Sequence, residues 1–284
     1  MTRIVRLFKG LTPYDHFLTF LLILTVMKIV NVFVVAGKTE GVQFALLGLG
    51  LIALSTLIFF LLKKFVDQKK TYKNTLISVL IIVLILSHAD PEPIRGILVI
   101  LLLFVSKFFI KHKKRNIFNP VIFSVAVVTL ISFIIPAIGV PPVDWTGIDI
   151  RFPILGNEVA LPIIPIILAL TFNVGRMKRH PIALTFIIIS LAIAYGFNFY
   201  GTTFLSYAIS ILFVGAAIIV EPKTSPTKFP LQFYYGAATA IGIALLSLAA
   251  IPNAIILGLF LSNIVFFVHS QMMKKKVGVV KSKK

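Results

Sequence analysis

The sequence predicts an all-α integral membrane protein, with ten transmembrane helices in two inverted five-helix repeats. Three observations carry this reading. Hydrophobic residues make up 58% of the 284 residues and charged residues 13%, against about a quarter charged in soluble domains. Apolar runs of 15 to 21 residues recur along the whole length, and about 20 residues of helix cross the hydrocarbon core of a bilayer. Finally, an acidic residue before a proline ends an apolar run in each half: Asp90-Pro91 and Glu221-Pro222, 131 residues apart. Matching interruptions in the two halves of a membrane protein point to a site at the repeat interface.

The elements follow from the runs and their breakers. Residues 17–36 form the first helix; it follows Arg3, Arg6 and Lys9 but is long enough to span, so it reads as a retained helix rather than a cleaved signal. Gly37 separates it from 42–62, and a basic cluster separates that from 75–89. Pro91 precedes 94–110, and Pro120 opens 120–138. The loop with Pro141-Pro142 leads to 158–174. Gly175 and Pro181 divide this run from 181–198, Gly201 marks the turn before 203–220, and Pro222 closes that run. The last two are 231–250 and 253–269, parted by Pro252. The organisation is an N-terminal tail 1–16, one transmembrane domain 17–269 (repeats of about 17–138 and 158–269) and a basic tail 270–284.

A net charge of +19 invites a nucleic-acid reading, but its distribution argues for a bilayer. Alternate segments hold 24 lysines and arginines; the opposite loops hold only Lys38, Arg95 and Arg151. This asymmetry predicts that both termini are cytoplasmic, in the cytoplasmic (inner) membrane, with an even number of spans. The tail lysines 274–276 suit either anionic headgroups or plain solvation. With no cysteine, disulfides, Cys-ligated zinc and Cys-ligated iron–sulfur clusters are excluded.

On this topology Asp90 faces outward and Glu221 inward. Five helices per half is an odd number, so the second repeat inverts. Asn119-Pro120 opens the fifth helix and Pro252-Asn253 the tenth, 29 residues after Asp90 and 32 after Glu221. The helices before the acidic motifs are among the shorter runs, and about 15 residues reach only ~22 Å. Such helices end inside the protein, lining a cavity.

Asp90 and Glu221 are therefore the leading site residues, as polar groups at broken helix ends; simple helix termination at the headgroup level is the competing reading. Lys28 lies mid-span with Asn31 on the same face, where a lysine either serves an ion path or snorkels to the interface. His88, two residues before Asp90, could relay a proton or satisfy a loop carbonyl. Asn173, Asn198 and Asn263 read as interhelical hydrogen-bonding groups. The five histidines show no metal-ligand spacing. Gly48-x-Gly50 sits inside an apolar run and reads as close helix packing, not a nucleotide loop.

The segment Asn116-Ile117-Phe118-Asn119-Pro120-Val121 resembles the Phe-Asn-Pro signature of the NqrB/RnfD family, the membrane subunits B of sodium-pumping NADH:quinone oxidoreductase and D of the Rnf complex. Glu221-Pro222-Lys223-Thr224-Ser225-Pro226-Thr227, followed by a helix with Gly236 and Gly242, is similar to the family's Asp-Pro-x-x-Ser-Pro-Thr element. Residues 252–263 resemble its last helix, although Val268-His269-Ser270 replaces the usual Pro-Leu-Ile-Asp ending. The likeness runs from about Asp90 to His269.

The resemblance implies a urea-transporter-like fold and a role in passing electrons across or within the membrane, coupled to Na⁺ or H⁺ translocation. It implies cofactor contacts at Asp90, Asn119, Pro120, Glu221, Thr224 and Ser225, and partners among other membrane and redox subunits. The family attaches FMN to the threonine of Ser-Gly-Ala-Thr. No such motif occurs here; the loop reads Val143-Asp144-Trp145-Thr146-Gly147, with Thr146 before a glycine. The implied flavin is thus noncovalent FMN or riboflavin. Two other functions compete: a small-solute or ion transporter on the same scaffold, and a structural anchor for a reductase.

Overall fold

A computed structural model describes residues 12–65, 72–87, 92–112, 115–141, 143, 152–154, 157–159, 161–198, 204–221 and 224–282. Among them are ten helices: α1 (Pro13–Val35), α2 (Lys38–Phe65), α3 (Tyr72–Ile85), α4 (Pro93–Phe108), α5 (Pro120–Ile134), α6 (Ile163–Arg176), α7 (His180–Phe197), α8 (Phe204–Ala217), α9 (Phe229–Leu248) and α10 (Ala254–Ser282). Two short antiparallel hairpins, β1–β2 (Lys111–His112 with Arg115–Asn116) and β3–β4 (Phe152–Ile154 with Asn157–Val159), lie in the loops.

All ten predicted helices are present, but their lengths differ from expectation. Five are long and apolar enough to cross a membrane: α1, α2, α7, α9 and α10. The fifth run stops at Ile134 and continues as a 3₁₀ turn at Pro136–Ile138, because Pro136 has no N–H for the ladder. Residues 158 and 159, expected to begin the sixth helix, belong to strand β4, and the helix starts at Ile163. The last helix runs through Ser282, well past the expected end at 269. Inside α6, Ala169–Asn173 adopts π-helical geometry.

The helices before the two acidic motifs, α3 and α8, have 14 residues each. They are also the most enclosed. Every residue from Ile77 to Leu86 is buried, and Ile209 to Val220 is buried except Leu212. A helix apolar on all sides and buried on all sides belongs to the interior of the bundle. Peripheral helices show the opposite pattern. On α4, Ile94, Ile97, Leu101 and Val105 are exposed, while Gly96, Val99, Ile100, Leu103 and Phe104 face the core. The apolar exposed stripe is the face suited to lipid.

Helix crossings are tightened by glycine. A Cβ at Gly236 would stand 2.7 Å from the Ile182 carbonyl oxygen, so α9 and α7 touch backbone to backbone. A Cβ at Gly48 would meet Val83 of α3 at 3.3 Å, in line with the packing expected there, but Gly50 faces open space.

Contacts sort the loops into two ends. The Asp15–Lys73 ion pair joins the starts of α1 and α3. The Lys107 ammonium donates to the Asn74 carbonyl, bringing in the end of α4. The His112 ring packs edge-on against Phe267 near the end of the apolar part of α10. Arg179 donates to the Pro226 carbonyl, and Gln232 to the Lys178 carbonyl. At the other end, Leu86 bridges to Val143, Arg95 packs beside Gly139, and Asn253 donates to the Pro141 carbonyl at 3.0 Å. The first end gathers segments on the lysine- and arginine-rich side of the charge count, and the second gathers segments on the poor side.

Candidate functional site

At the basic end, the chain folds around a cavity of about 160 Å³. Its walls come from both halves of the sequence: the first turn of α1, one face of α3, the end of α4, the start of α5 and the end of α8. Asn74, Ile77, Ser78 and Ile81 line it from α3 at helical spacing. Three predicted site residues, Asn119, Pro120 and Glu221, line the same cavity.

Asn119 is held in place by four hydrogen bonds besides the helix bond from the Phe123 amide to its carbonyl. Pro120 cannot supply an N–H and suits the first helical position, so Asn119 becomes the cap of α5. Its Oδ1 accepts from the Val121 and Ile122 amides at 3.0 and 3.4 Å. Its Nδ2 donates to the Ile218 carbonyl at 3.4 Å, 99 residues away, just past the C-terminal end of α8. Its own amide donates to Asn263 Oδ1 at 3.3 Å, and Asn263 Nδ2 reaches the Tyr235 hydroxyl at 3.2 Å. Asn263 is thus an interhelical hydrogen-bonding group, as its position in an apolar run suggested. Asn198 instead caps α7 in a left-handed conformation, and the Asn173 amide oxygen is buried without a partner.

Glu221 follows the last turn of α8. Thr224 and Ser225 are fastened back to it, their amides donating to its carbonyl at 3.3 and 3.1 Å. The Thr224 hydroxyl donates to the Glu221 carboxylate at 3.2 Å, and the Ser225 hydroxyl to the Glu221 carbonyl at 2.7 Å. Thr224 and Ser225 are buried outside the cavity lining; Thr224 orients the carboxylate and Ser225 holds the backbone. The carboxylate is close enough to Tyr14 and Tyr235 for its charge to act on both hydroxyls.

Sequence reasoning missed Lys107. It reads as the first residue of a basic loop, yet it is buried in the last turn of α4. Its ammonium donates to the Asn74 carbonyl and to the Ser78 hydroxyl at 3.2 Å, and its side chain lines the cavity. The legible signal was position alone: Lys107 falls within the predicted helix 94–110, three residues after Phe104 and one before Phe108, both on the buried face. The cavity therefore combines an ammonium from the first half and a carboxylate from the second, with amides between them. Such a site can hold a small polar or charged group away from bulk water, where electrostatic contacts are stronger than in solution.

Lys28 lies elsewhere. It is fully buried on α1 and donates to the Leu84 and Leu86 carbonyls at 2.8 and 2.9 Å, with its ammonium 5.2 Å from the centre of the Phe44 ring. The last carbonyls of a helix have no intrahelical donor and carry the negative end of its dipole; Lys28 satisfies both needs for α3. Asp90, His88 and Thr146 lie outside the described residues.

No protein-family model, no curated protein and no solved structure matches the chain.

Proposed function

We propose that this chain is a membrane-embedded subunit of an ion-coupled electron-transport complex of the NqrB/RnfD kind. The observation that carries the reading is the meeting of Asn119-Pro120 with Glu221 at one cavity. These are the elements that resemble the family; both line the cavity, and Asn119 bonds to Ile218, three residues before Glu221. On this reading the membrane is the cytoplasmic one, both termini are cytoplasmic, and other redox subunits complete the complex.

The reading includes the inverted repeat. Two contacts support it because they are reciprocal. Asn119, at the start of α5, bonds to Asn263; Asn253, at the start of α10, bonds to Thr129 at 3.0 Å. Asn263 stands ten residues after Asn253, and Thr129 ten residues after Asn119. A two-fold axis in the membrane plane between antiparallel α5 and α10 produces such a pair. The equal lengths of α3 and α8 agree with it.

The cavity does not fit a flavin. Its volume is close to that of an engineered cavity that takes one benzene ring, and a flavin carries three fused rings. No electron-transfer step is therefore assigned to this cavity; FMN or riboflavin belongs to the proposal only as a noncovalent component bound elsewhere in the complex. The test is purification of the complex through this chain. Extractable flavin is expected, together with a loss of electron turnover of about tenfold or more in Glu221→Gln. A colourless complex whose turnover survives that substitution would refute the reading.

The cavity size favours a second reading, a small-solute or ion conduit. Flux through liposomes holding the lone chain, abolished by Glu221→Gln, is the result that selects it.

A further inference from the structure

We propose that the first turn of α1 is a gate at the mouth of the cavity, latched by the Asp15–Lys73 ion pair. The proposal deepens the reading of this cavity as the functional site and rests on it. Pro13, Tyr14 and Phe17 form one face of that turn, and all three line the cavity. Tyr14 is 40% exposed while Phe17 is 9% and Lys107 4% exposed, so the cavity opens at Tyr14 and deepens toward the ammonium.

The turn is built as a rigid unit. The Thr12 amide and hydroxyl donate to the Asp15 carboxylate at 2.9 and 2.5 Å, and the Asp15 amide donates back to the Thr12 hydroxyl at 3.3 Å, a closed capping box. Pro13 at the first helical position adds stiffness. The second oxygen of Asp15 is left for Lys73, at the start of α3, and Lys73 is the neighbour of Asn74, which lines the opposite wall. Thus one carboxylate both caps the gating turn and ties it to the far rim. Lys107 fastens the same rim from inside through the Asn74 carbonyl.

The strength suits a gate. The pair is partly exposed, with side-chain exposures of 41% for Lys73 and 24% for Asp15. A pair of this kind shifts an equilibrium by up to about fivefold and is screened by salt. Phe17 adds a buried apolar side chain to the cavity wall, and the latch itself lies at the partly exposed rim.

The chain has no cysteine, which allows a direct test in the full protein. Ser78→Cys places one thiol in the cavity wall, and alkylation by a charged, water-soluble maleimide reports opening. With Asp15→Asn or Lys73→Met added, labelling is expected to be about two- to fivefold faster. High salt is expected to speed the single-cysteine protein by a similar factor but not the Asp15→Asn variant. Asn74→Cys serves as a second reporter should Ser78→Cys disturb folding. Equal labelling rates in all variants, or no salt effect in the parent, overturn the latch. The two ideas are separable: Glu221→Gln tests the function of the cavity through turnover or flux, whereas Asp15→Asn and Lys73→Met test the latch through labelling.

Discussion

A lysine buried in a membrane bundle is costly unless its ammonium is satisfied. At Lys28 two carbonyls and an aromatic face surround it. Replacing it by methionine keeps the volume and removes the desolvation penalty, but strands the Leu84 and Leu86 carbonyls. Unsatisfied buried acceptors cost about 1–3 kcal/mol each. Lys28→Met is thus expected to lower stability by about 1–3 kcal/mol net, read as a lower unfolding midpoint in detergent. An unchanged midpoint with lost turnover would instead assign Lys28 to an ion path. The sequence made Lys28 conspicuous because charge in an apolar run stands out. It could not name the partners, which belong to a helix more than 50 residues away. Lys107 shows the converse failure: a buried lysine beside a basic cluster is hidden by its neighbours.

The helices themselves were legible because apolar runs, prolines and glycines mark them locally. What local pattern could not show is which glycine carries a crossing. Gly236 and Gly242 stand on the same helix and look alike in sequence. A methyl at Gly236 would meet the Ile182 carbonyl oxygen and the Phe186 amide of α7, both rigid backbone, whereas nothing lies within 4 Å of one at Gly242. Gly236→Ala is expected to force α7 and α9 apart and cost about 1–3 kcal/mol, as overpacking does. Gly242→Ala is expected to be neutral or slightly stabilising, since alanine favours helix. The two midpoints, measured side by side, check the crossing; equal effects would remove it. The same limit explains the lengths of α5 and α6. The end of α5 depends on Pro136 and the start of α6 on strand β4, while the π-helical stretch inside α6 leaves no mark in hydropathy.

At the scale of the molecule, charge and contact give independent accounts of sidedness. The count of basic residues assigns loops to two sides without reference to shape, and the contacts group the same loops at two ends without reference to charge. Their agreement makes topology the firmest property to test. Single cysteines at the exposed positions Lys64, Lys178 and His269 belong to the basic end, and those at Lys38, Asn198 and Ala250 to the other. In intact cells an impermeant maleimide is expected to label the second group, and the first only after the membrane is opened. Both groups reacting from one side would break the ten-crossing reading. It would also leave α3, α5, α6 and α8, each shorter than a full span, as helices that enter and return. If the pattern holds, these short helices cross a bundle thinned around its two interior members, and the cavity between Lys107 and Glu221 faces the cytoplasm. Redox partners or a soluble solute would then meet it from that side.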